Sequence, residues 1–116
     1  MTQSQREALL DMLILSIFTD SHLSLKEDEA LQAAFETVGW EARKPRDIFI
    51  CNSMSRARKA SESDAATSEY IASRVANFTD QTSQKTVLDL LQQLFAADGT
   101  AQAEASFLSR VRAAFP

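Results

Sequence analysis

Val87-Leu88-Asp89-Leu90-Leu91-Gln92-Gln93-Leu94-Phe95-Ala96-Ala97-Asp98-Gly99 is the stretch that decides the fold. Its apolar residues at 87, 88, 91, 94 and 95 recur at helical spacing, and Gly99 stands where a helix commonly ends. Beyond it Glu104 precedes a second apolar series through Phe107, Leu108, Val111, Ala114 and Phe115. The pattern predicts a helix, a tight acidic turn and another helix.

A similar arrangement lies near the N-terminus. Leu9-Leu10-Asp11-Met12-Leu13-Ile14-Leu15-Ser16-Ile17-Phe18-Thr19-Asp20 leads through Ser21-His22-Leu23-Ser24 into a segment carrying Glu27. Aligning Asp20 with Asp98 sets Leu10, Asp11, Met12, Leu13 and Ile17 opposite Leu88, Asp89, Leu90, Leu91 and Phe95. Two related hairpins with other helices between them follow, and Leu13, Ile17, Leu91 and Phe95 are expected to be buried within mutual reach.

Composition agrees with helices. With 116 residues the chain suits a single domain, 1–116, that can bury one core, and 45% apolar with 24% charged residues is a globular balance. Two glycines and two prolines are too few for the turns of an all-β fold. The expectation is an all-α, compact bundle of about six to seven helices.

Further helices fill the middle of the chain. Thr2 or Ser4 can cap the first, whose apolar residues surround it so fully that it should be central, with only residues such as Glu7, Asp11 and Ser16 facing solvent. Ser24-Leu25-Lys26-Glu27 is a capping box opening the second, which carries Ala30, Leu31, Ala34, Phe35 and Val38. Gly39 ends that helix and should fold Trp40 back onto Phe35 as a structural plug. After Pro45 a third helix runs from Arg46 or Asp47 to about Ala60, its apolar residues being Ile48, Phe49, Ile50, Cys51 and Met54. Ser61-Glu62-Ser63-Asp64 offers another cap, and Tyr70, Ile71, Val75 and Phe78 mark a fourth helix. A loop over 79–83 then leads back to the opening stretch.

Charge narrows the function. A net charge of −4 argues against general nucleic-acid binding, which requires a basic surface. Yet Arg43, Lys44, Arg46, Arg56, Arg58 and Lys59 are half of the twelve Lys and Arg, gathered in one segment. Arg56, Arg58 and Lys59 are therefore the candidate docking residues for a protein partner; the competing reading is a solvated helix end whose dipole favours cations. The single cysteine, Cys51, cannot form an internal disulfide, is expected in the core, and fits a cytoplasmic protein. The apolar run over 9–18 is interrupted by Asp11 and too short to cross a bilayer, so no membrane insertion is expected.

The duplicated hairpin, with Asp20 and Glu27 in one copy and Asp98, Gly99 and Glu104 in the other, resembles the TerB-like family, named for a tellurite-resistance protein and shared with the N-terminal domain of some membrane-anchored DnaJ-type co-chaperones. In that family an Asp-Gly turn is followed in the next helix by a Glu, and the acids are linked to metal binding. Here Ser21 replaces the Gly in the first copy, and Glu104 stands one residue closer to its Asp than Glu27 does. The resemblance covers both hairpins and implies a role in stress response or tellurite resistance.

If the hairpins pack antiparallel, Asp20, Glu27, Asp98 and Glu104 could converge on one weak Ca2+ or Mg2+ site; the same acids could instead be helix caps and solvated charges. Neither turn has the alternating ligands of an EF-hand, and His22 has no partners for a zinc set. No phosphate loop and no nucleophile paired with a His base is present. The leading expectation is a non-catalytic interaction or sensing module. The alternative is a small metal-dependent or carboxylate-based enzyme using the same acidic cluster.

Overall fold

The computed structural model describes residues 2–19, 25–41, 43, 45–96 and 101–115, with side chains described for all of these except 17, 19, 25–28, 30, 94–96 and 101–106. Among them the chain forms six helices and no strand: α1 (Gln3–Thr19), α2 (Leu25–Val38), α3 (Arg46–Ala60), α4 (Asp64–Val75), α5 (Gln81–Ala96) and α6 (Ala101–Ala114). The all-α bundle expected from apolar periodicity is what forms. α1 and α2 pack together, as do α5 and α6, and one buried cluster draws residues from all six helices.

α1 is the centre. Every residue from 8 to 16 is buried, because a helix apolar on nearly all sides can satisfy itself only by being covered. It packs against α2, α3 and α4, while α5 packs on α6 and α2. Leu13 and Leu91 are both buried; Ile17 and Phe95, the other members of the expected repeat core, lie outside the described side chains. Ser16 is buried rather than solvent-facing, and its hydroxyl donates to the Leu13 carbonyl one turn back.

The helix starts follow side-chain chemistry. Thr2 and Gln5 form a reciprocal capping box, the Gln5 amide donating to Thr2 Oγ1 at 3.2 Å and the Thr2 amide to Gln5 Oε1 at 3.0 Å. The Ser63 hydroxyl accepts from the Ala66 amide at 3.0 Å at the start of α4. α5 begins two residues before the expected end of the loop, since Asp80 caps it: its carboxylate accepts from the Ser83 amide at 3.0 Å and the Ser83 hydroxyl at 2.6 Å. Those bonds hold the Asp80 carboxyl below its ordinary pKa, with the Ser83 hydroxyl the largest cause. α2 begins at Leu25, just after Ser24, although the Ser24–Glu27 box itself lies outside the described side chains.

Gly39 closes α2 at φ 85°, its amide donating to the Phe35 carbonyl at 3.0 Å, and Trp40 folds back edge-on to Phe35 with ring centroids 5.1 Å apart. This is a left-handed helix end, with the aromatic contact the sequence predicts. A Cβ at Gly39 would meet the Arg6 side chain at 3.6 Å, an ordinary contact, so the cost of a side chain lies in the backbone. Gly39→Ala is expected to lose about 1–2 kcal/mol in urea denaturation, and Gly39→Asn less, since Asn tolerates the left-handed region. Equal losses would place the cost elsewhere.

Candidate functional site

α3 is where structure departs most from sequence expectation. Its buried residues are Ser53, Ala57 and Ala60, a face of small side chains set against α1 and α4. The larger apolar residues lie to the sides or outside. Phe49, Ile50 and Met54 are half-buried, Cys51 is exposed rather than in the core, and Ile48 is 61% exposed. The signal available in sequence was the spacing of Ser53, Ala57 and Ala60 at i, i+4 and i+7, with Phe49, Ile50 and Met54 packed against the core beside them.

That inward face also meets Asp11. Expected at solvent, it is 4% exposed and accepts from three side chains on two helices. The Ser53 hydroxyl donates to Oδ1 at 2.6 Å and Arg56 Nη2 to the same oxygen at 3.0 Å. Arg74 Nε donates to Oδ2 at 2.8 Å from α4, and its guanidinium stacks 4.4 Å over the Tyr70 ring. An acid inside an otherwise apolar helix must find partners or be driven to neutrality. Here α3 and α4 supply them, α3 from the face that carries Ser53 and Arg56.

Arg56 is thus committed within the molecule. Burial is the largest single influence on its pKa and lowers it. The Tyr70 hydroxyl and the charge and hydrogen bond of Asp11 together outweigh burial and hold the pKa above its ordinary value. The Tyr70 oxygen is buried and meets no partner at hydrogen-bonding geometry among the described residues, yet it is close enough to favour the charged guanidinium. Two guanidiniums sharing one carboxylate leave a net positive charge at the α3–α4 surface.

Arg58 and Lys59, the other two predicted docking residues, are exposed in the last turn of α3 and form no ion pair among the described residues. At 3.6 residues per turn they share a face with Ile48, Cys51, Asn52 and Ser55, all exposed. Arg46, by contrast, pairs with Glu36 at 3.1 Å and sits 5.3 Å from the Phe35 ring centre.

Asp20 and Asp98, proposed as cation ligands, lie outside the described residues, and so do the side chains of Glu27 on α2 and Glu104 on α6. Among the described residues no group of three or more His, Cys, Asp or Glu side chains comes together as a metal set. An open groove of about 540 Å3 runs between α5 and the end of α6, with Leu88 and Phe115 among its apolar lining and Lys85, Asp89 and Arg112 among its charged lining. Among the described residues no helix is long and apolar enough to cross a membrane.

The chain matches no family model, no curated protein and no solved structure. The resemblance of its hairpins to TerB-like proteins therefore rests on the residues quoted for it.

Proposed function

We propose that the protein is a non-catalytic, cytoplasmic interaction module of the stress-response kind that TerB-like proteins exemplify, and that it docks its partner through the outer face of α3. The observation that carries this reading is the orientation of α3: small residues inward, Ile48 and Cys51 outward, Arg58 and Lys59 on the same side. An isolated exposed apolar residue is ordinary, but one aligned along a single face with cations is a usable surface. An exposed free thiol is also in keeping with a reducing compartment.

The test is affinity capture from cells that express the chain, comparing the native protein with an Arg58→Glu, Lys59→Glu double variant. Native protein is expected to retain a saturable partner that the variant loses while remaining folded, with the thermal midpoint lowered only slightly, since both side chains are exposed but acids in the last turn of α3 oppose its dipole. Arg56 is left out, since reversing it would strike Asp11 and confuse folding with docking. If the native chain retains nothing beyond what an unrelated acidic helical protein retains, the interaction reading is wrong.

A further inference from the structure

Ile48, Cys51, Asn52, Ser55, Arg58 and Lys59 form one exposed stripe along α3, and the order of their chemistry along the helix is directional. The apolar end, Ile48 and Cys51, lies in the first half. The basic end, Arg58 and Lys59, lies in the last turn, where the net charge of the Asp11, Arg56 and Arg74 group adds to it. Asp47 in the first turn and Glu62 in the turn after α3 are the acids at the two ends of the stripe. From Ile48 to Lys59 the stripe spans about 17 Å, three turns of helix at 1.5 Å per residue.

Resting on the interaction reading above, we infer that this stripe binds an amphipathic helix of a partner protein, lying antiparallel to α3, with acidic residues in its first turn and apolar residues two to three turns later. Charge complementarity selects that occupant. An antiparallel helix puts its N-terminus beside Arg58 and Lys59, and acids belong in a helix's first turn because the helix dipole stabilises them there. Its apolar residues then fall on Ile48, whose side chain is the only large hydrophobic one highly exposed among the described residues. A helix set parallel to α3 would instead bring its acidic first turn to Asp47, about three turns away from Arg58 and Lys59. Helix-on-surface recognition of this kind depends on a few apolar anchors for affinity and on charge for orientation.

Cys51, the only cysteine, sits inside the stripe and reports its coverage. The probe is a synthetic helical peptide with Glu in its first turn and Leu at the predicted anchor positions. A copy with Lys for Glu and vesicles of anionic phospholipid serve as comparisons. Peptide binding is read by fluorescence anisotropy, and Cys51 accessibility by its rate of alkylation on the full chain. The acidic peptide is expected to bind and to protect Cys51. Its affinity should fall about tenfold or more in Arg58→Glu, Lys59→Glu, and about ten- to hundredfold in Ile48→Ser. Raised salt should weaken binding to the native chain.

Equal binding of the Lys-substituted peptide overturns the proposal, as does binding of the acidic peptide with Cys51 still freely alkylated. Protection of Cys51 by the vesicles but not by the peptide also overturns it, in favour of a lipid surface. If any of these results appears while the native chain still captures a partner from cells, the module works through another surface. Failure of capture itself removes the interaction reading instead.

Discussion

Phe35→Ala is expected to remove about 3–5 kcal/mol from the free energy of unfolding, measured by chemical denaturation. Phe35 is fully buried on α2, and truncating it opens a cavity where three elements meet. It holds Trp40 edge-on at 5.1 Å and 73°, and Phe49 of α3 at 6.4 Å and 84°. Trp40 and Phe49 are themselves 4.9 Å apart, so Phe35 is one corner of a triangle of rings joining the end of α2 to the start of α3. Edge-to-face pairs add roughly 0.5–1.5 kcal/mol each beyond area burial, and their loss pushes the result toward the upper end. Phe35→Leu should cost much less, since it keeps most of the volume. Trp40 is the only tryptophan, and its emission should shift in Phe35→Ala before any denaturant is added. A loss under about 1 kcal/mol would mean that the rings rearrange to fill the space, and that the α2–α3 corner is loosely built.

That corner was legible in sequence because its signals are local. Gly39 after an apolar series, followed at once by Trp40, states both where α2 ends and what covers the end. The central position of α1 was legible for the opposite reason: its apolar residues surround it nearly completely, although the narrow solvent face expected at Asp11 and Ser16 is buried too. Periodicity also located α3 within a residue, with Pro45 preceding Arg46 as the sequence suggests. It could not say which way α3 faces. The inward face meets a partner far away in the chain, since Ser53 and Arg56 reach a carboxylate at position 11 and Arg74 reaches it from α4. The sequence-based expectation puts Cys51 in the core, whereas Cys51 is exposed and Ser53 is buried in its place. The proposed docking surface was therefore half visible: its cations could be read from charge clustering, but the exposure of Ile48 and Cys51 followed only from the fold.

The Asp11 network makes the second large prediction. Asp11→Ala should cost about 3 kcal/mol, the lower end of what breaking a buried ion pair does, because Arg56 and Arg74 side chains remain 41% and 24% exposed and can turn to water. The Ser53 hydroxyl has no such escape, being fully buried with its carboxylate acceptor gone. Much of the loss is thus the stranding of partners rather than the worth of the bonds, and this has a measurable signature. The Asp11→Ala, Arg74→Met double variant should lose much less than the sum of the two single losses, since the second change removes a group the first has orphaned. Asp11→Leu with Ser53→Ala should recover further stability by replacing the polar contact with apolar packing. Partner capture by that stable variant then asks a question stability cannot: whether α3 still faces outward correctly once nothing polar holds it. If hydrophobic packing alone sets the orientation, capture survives. If Asp11 sets it, the chain stays folded and capture is lost. Single losses below about 1 kcal/mol that simply add would return Asp11 to the solvated position that its charge alone suggests.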